Sequence, residues 1–227
     1  MTETHKHLEH LSEIRALMER STRFLSLSGL SGVWAGMCAL AGVAAVYAFL
    51  EMPPFTAAGG SFYFDKAINT NKWGMDYKSV FVLIAIMVLA AALAGGWFFT
   101  ARKARRRGEQ IWDATSRRLL TALAIPLLAG GIFCLALLFR GYVSLLAPCT
   151  LIFYGLALVN GSKYTLRDVE YLGLSQVALG LLGIFYPGYG LDIWGLGFGV
   201  LHIVYGLWMY WKYDAEPGNG GTTNGKI

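Results

Sequence analysis

Six long runs of apolar residues, separated by short polar stretches, dominate the pattern along this chain. They are Leu27–Leu50, Ser79–Thr100, Leu119–Phe139, Tyr142–Val159, Tyr171–Tyr186 and Leu191–Trp211. About 20 apolar residues in a helix cross a hydrocarbon core of roughly 30 Å. The pattern therefore predicts an all-α, polytopic membrane bundle of six transmembrane helices, although the fifth run is short. Only Arg140-Gly141 joins the third and fourth runs, which predicts a tight antiparallel hairpin. A five-span alternative would fuse them into one helix; Pro126, Pro148 and the Arg-Gly break stand against it.

Composition agrees with that pattern. The 227 residues are 56% hydrophobic and 15% charged, against roughly 25% charged in soluble domains. An ordinary cytosolic domain, a disordered chain and a disulfide scaffold are excluded. Cys38, Cys134 and Cys149 all fall inside apolar runs. Pairing any two would need a particular helix contact, so they are expected as small packing residues with no structural disulfide.

Lys and Arg residues orient the spans. Fifteen lie before the first run, between the second and third, between the fourth and fifth, and after the sixth; four lie on the opposite side. Both termini are therefore expected in the cytoplasm. The net charge of +5 is expected to reflect topology rather than nucleic-acid binding, because the basic residues flank membrane segments. The first apolar run is too long and starts too late for a cleavable signal peptide.

Three regions follow. Residues 1–26 read as a cytoplasmic amphipathic helix, with Leu8, Leu11, Ile14, Leu17 and Leu25 recurring at helical spacing among Glu9, Glu13, Glu19 and Arg20. His5, His7 and His10 cluster there, but a closed metal site needs rigidly spaced ligands, and a solvated helix end is the simpler reading. Residues 27–211 form the transmembrane domain. It includes an aromatic outer loop, 51–78, expected to lie on the outer leaflet or cap the bundle, and a basic cytoplasmic loop, 101–118. In that loop Arg102, Lys103, Arg105, Arg106 and Arg107 are expected to face lipid, where anionic headgroups add about 1 kcal/mol per residue. Residues 212–227, rich in Gly, Asn and Thr, read as a disordered tail.

The odd-numbered runs begin alike. Ser21-Thr22-Arg23, Thr115-Ser116-Arg117 and Thr165-Leu166-Arg167 precede them, and thirteen residues after each Arg stands Gly36, Gly130 or Gly180. The fourth and sixth runs echo each other in Ile152-Phe153-Tyr154-Gly155-Leu156 and Ile203-Val204-Tyr205-Gly206-Leu207. Three tandem in–out–in hairpins account for both patterns. Thirteen residues rise about 20 Å, which sets the three glycines near mid-depth, where they permit close helix packing. Ser28, Gly32 and Gly36, and likewise Gly195 and Gly199, extend such small-residue stripes.

His202 is the one clear ionisable residue inside a span, and such residues cost about 2.5–3.5 kcal/mol each on insertion scales for charged groups. Gly199 and Gly206 flank it at helical spacing and Tyr205 neighbours it. Tight helix contact or a small cavity are the two arrangements this allows. His202, Tyr205 and Gln176 are the candidate midplane site, either a ligand, proton or ion site or a neutral histidine bonded to a neighbouring helix. Gln176 is expected to bond between helices. One intramembrane histidine cannot supply both axial ligands of a b-type haem, and no HExxH, Walker A motif or paired intramembrane carboxylates are present. No cofactor or metal can be named.

The stretches Ser21–Gly32 (STRFLSLSGLSG) and Gly197–Gly206 (GFGVLHIVYG) resemble an uncharacterised family of bacterial six-span integral membrane proteins. The resemblance implies the six-span fold and a bacterial inner-membrane location and supplies no activity. Two functions stay open. One is a non-catalytic scaffold, assembly or sensor protein partnered by the bilayer, by anionic lipid and by further copies of itself. The other is a small transporter or channel with its site at His202. A membrane enzyme would need further polar groups in the spans.

Overall fold

The computed structural model describes residues 28–51, 53–55, 71–72, 74–108 and 112–214. The expected amphipathic helix with His5, His7 and His10, most of the aromatic loop and the end of the chain lie outside the described residues.

Six helices are long and apolar enough to cross a membrane: α1 Gly29–Leu50, α2 Tyr77–Arg107, α3 Ala114–Arg140, α4 Leu146–Gly161, α5 Asp168–Phe185 and α6 Gly190–Asp214. Single 3-10 turns extend α4 at both ends, Val143–Leu145 and Ser162–Tyr164. Before α2, β1 (Asn71–Lys72) and β2 (Met75–Asp76) pair antiparallel, with Gly74 at φ 72° in the turn.

Local chemistry explains the helix ends. Asp76 caps α2, accepting from the Ser79 backbone N–H at 3.3 Å; the Ser79 hydroxyl beside it holds its carboxyl below the usual carboxylate range. Asp113 caps α3 reciprocally: it accepts from Ser116 N–H at 2.6 Å, and its own N–H donates to Ser116 Oγ at 2.9 Å. The Thr-Ser-Arg motif read from the sequence is thus part of a helix start. Gly108 and Gly141 close α2 and α3 in the left-handed conformation, at φ 65° and 82°.

The helix α6 is not uniform. It is α-helical over Gly190–Trp194 and His202–Met209, and widens to a π-helix over Gly195–Leu201 and Tyr210–Asp214. It also runs past the expected boundary at 211, so Lys212 and Asp214 belong to the bundle rather than to a disordered tail.

α1 packs between α2 and α6, α4 packs between α3 and α5, and α6 lies against α1 on one side and α4 and α5 on the other. The flanking helices α2 and α3 bury only 6% and 11% of their apolar windows, against 39% for α1 and α5. Two crossings bring backbones into contact. In α1×α6, a Cβ on Gly206 would stand 2.6 Å from Val33 N and 2.8 Å from Gly29 O, and one on Gly36 would stand 2.6 Å from Gly199 O. In α4×α5, a Cβ on Gly173 would stand 2.8 Å from Gly155 O, and one on Gly180 would stand 2.8 Å from Pro148 O.

Ionic ties gather the ends that carry the basic loop. Lys103 of α2 pairs with Asp214 at 2.7 Å, both side chains 10% exposed. The same carboxylate accepts from Gly29 N–H at 3.0 Å and from the Ser28 hydroxyl at 3.2 Å, at the start of α1. Asp168 of α5 accepts from Lys212 at 2.9 Å and from the Tyr213 hydroxyl at 2.6 Å. At the opposite end Asp192 accepts from the Tyr47 hydroxyl and from Phe55 N–H, tying α1 and the segment after it to α6.

Candidate functional site at the bundle centre

Three helices converge on His202. It projects from α6, directly after the π-helical segment, toward Tyr154 of α4 and Gln176 of α5. The imidazole is 5% exposed and Gln176 is fully buried. His202 Nδ1 lies 3.0 Å from Gly197 O, and Nε2 lies 2.8 Å from the Tyr154 hydroxyl. A carbonyl oxygen can only accept, so Nδ1 carries the proton and donates to Gly197. Nε2 is then bare and accepts from the Tyr154 O–H. Both ring nitrogens of a neutral imidazole are thereby occupied by the protein itself. Gln176 Nε2 donates to the same Gly197 oxygen at 2.7 Å. Two donors share one carbonyl, which explains why Gln176 Nε2 and His202 Nδ1 approach to 3.4 Å.

The shared acceptor lies within the π-helical segment of α6. In an α-helix the Gly197 carbonyl would be held by the N–H four residues on; in the π-helix the bond shifts to the fifth. Phe198 stacks on the imidazole at 5.8 Å and 16° and lies 4.9 Å from the Tyr154 ring, roofing the cluster. Gly197 is constrained from the other side: a Cβ there would stand 2.6 Å from Gln176 Oε1. That oxygen has no hydrogen-bond partner and packs on the glycine.

Gln176 bonds between helices, as its position in the sequence implied. Tyr205 does not join the cluster. It packs with Leu158, Leu166, Val169, Leu172 and Met209, about one turn beyond His202. The tyrosine that reaches the imidazole is Tyr154, which sequence reasoning passed over. The available signal was the echo that pairs Tyr154-Gly155 with Tyr205-Gly206. Gly199 and Gly206 turn away from the imidazole and toward α1, so they mark tight helix contact rather than a cavity. Gly36 and Gly180 are also close-contact positions, and Gly130 receives the Phe153 side chain.

In the basic cluster, Arg102, Arg105 and Arg106 are exposed, whereas the side chain of Arg107 lies outside the described residues. Lys103 departs from the expected lipid-facing role. Its ammonium is drawn inward by Asp214. An open pocket of about 250 Å³ lies between the ends of α4 and α5, lined by Val159, Ser162, Lys163, Arg167 and Glu170, away from His202. Among the described residues no three His, Cys, Asp or Glu side chains gather as metal ligands. No family model matches the chain, and no curated protein or solved structure matches it.

Proposed function

We propose that this chain is a non-catalytic membrane protein, a scaffold, assembly factor or sensor, and that His202 holds its helices together. The observation that carries this reading is the closed cluster: both nitrogens of the imidazole bond to Gly197 and Tyr154, in a site with 5% exposure of His202 and none of Gln176. A transport site would leave room for a substrate and water, whereas the one unbonded polar atom of this cluster, Gln176 Oε1, packs against Gly197. The proposal includes cytoplasmic termini, supported by the 15 to 4 division of basic residues, and a bacterial inner membrane, supported by the sequence resemblance alone. Arg102, Arg105, Arg106 and Arg107 then contact anionic headgroups.

A three-hairpin repeat is part of the proposal. Supporting it, Gly29 and Gly36 of α1 meet α6 at Gly206 and Gly199, and Gly173 and Gly180 of α5 meet α4 at Gly155 and Pro148. Each set is spaced by seven, and α1 and α5 place a glycine six residues after the arginine of the starting motif, where α3 has Leu123.

One observation favours the second reading, a small transporter or channel: seven consecutive π-helical residues lie beside His202, and π-helical turns recur at functional sites. A thermal-shift screen of purified protein separates the two, with His202→Ala beside wild type and ions, haem, lipids and small metabolites as the panel. The scaffold reading expects no ligand response at this site and a lower midpoint for the variant. A ligand that raises the wild-type midpoint by mass action and fails to raise that of the variant overturns it.

A further inference from the structure

We propose that Cys134 and Cys149 form a redox pair that closes into a disulfide between α3 and α4. The two helices are antiparallel, and three contacts fix their register. Asn160 Nδ2 donates to Ala122 O at 2.8 Å. Gly161 faces Leu119 and Leu123, and Gly130 receives Phe153 so closely that no Cβ fits between them. Phe133 and Phe153 also meet, with ring centroids 5.7 Å apart. From the Gly130–Phe153 contact, four residues on along α3 is Cys134, and four residues back along α4 is Cys149. That step is about one turn, roughly 6 Å, on each helix, so the two cysteines occupy facing positions one turn beyond the tightest point of the crossing. Both are free and only partly covered, and an oxidant dissolved in the lipid reaches them. The sequence alone could not pair them, because the required helix contact is set by Gly130.

Closure is a two-electron oxidation. Two S–H bonds break and one S–S bond forms; two electrons and two protons pass to a lipid-soluble two-electron oxidant. With molecular iodine the first sulfur displaces iodide, the second displaces the remaining iodide from the sulfenyl iodide, and two equivalents of HI leave. The consequence is mechanical. Since α3 buries only 11% of its apolar window and packs chiefly on α4, the bond fixes a flanking helix to the bundle.

The test counts thiols in the full-length protein in native membranes. Samples with and without iodine are denatured in SDS and labelled with a maleimide-polyethylene glycol. Untreated wild type has three cysteines to label; treated wild type is expected to keep one, and reductant to restore three. Cys38→Ser is expected to drop from two labels to none, whereas Cys134→Ser and Cys149→Ser keep two with or without oxidant. Treated protein should run as a monomer without reductant. Three labels retained after iodine, loss of labels in either single variant of the pair, or an oxidant-dependent dimer overturns the proposal.

Discussion

The two sides of α6 are built on different physics. Toward α1 the helix shows Gly199 and Gly206; backbone meets backbone at Gly206, and the Leu40 side chain packs directly on Gly199. Toward α4 and α5 it shows His202, and a chain of hydrogen bonds runs from Tyr154 through the imidazole to Gly197 and Gln176. Lipid tails are as apolar as leucine, so burying more leucine does little to join helices in a bilayer. Close packing and interhelical hydrogen bonds remain. The α6 helix uses one on each side, and the carbonyl bonded on the polar side, that of Gly197, lies in its π-helical segment. The glycine side depends on size alone; the polar side depends on hydrogen bonds as well as on fit.

Substitutions break this comparison in order of size. Gly206→Leu carries the largest effect. Its side chain would meet Val33 N and Gly29 O, backbone atoms that cannot rotate away, so the loss should exceed the roughly 1–3 kcal/mol of ordinary overpacking. Loss of the cooperative thermal transition in detergent is the expected readout, and a transition near the wild-type midpoint would count against the backbone contact. His202→Ala comes next, at about 2–4 kcal/mol for an emptied core position; chemical denaturation in mixed micelles measures it. Tyr154→Phe keeps the ring and removes one donor. Interhelical hydrogen bonds in membranes average about 0.6 kcal/mol and reach about 1.7, and a loss in that range, smaller than for His202→Ala, is expected. Tyr205→Phe, one turn along and outside the cluster, should be near neutral, and an effect equal to that of Tyr154→Phe would erase the distinction drawn between the two tyrosines.

Much of the glycine side was legible in the sequence, because a missing side chain at helical spacing has one main use in a membrane. Gly36, Gly199 and Gly206 stand at close helix contacts, and each of the six runs falls on one of the six helices, with ends differing by up to seven residues. The polar side was legible only in part. His202 and Gln176 stand out as polar residues in apolar runs, yet their acceptor is a backbone carbonyl within a π-helical segment, and periodicity gives no sign of it. Tyr154 was hidden because tyrosine is unremarkable near span ends, and its depth depends on where α4 begins. The inward pull on Lys103 was hidden for a related reason: it depends on α6 continuing to Asp214, and Lys212-Tyr213-Asp214 reads as the start of a polar tail.

The central claim is that the imidazole of His202 is closed on the protein's own groups. Nitrogen-15 NMR of histidine-labelled protein in lipid bilayers at neutral pH tests this directly, with a His202→Gln sample to assign the resonance among the four histidines. The account predicts one neutral species, protonated on Nδ1 and hydrogen-bonded at both nitrogens. A resonance showing the Nε2-protonated tautomer, an imidazolium, or an imidazole exchanging with water would contradict it.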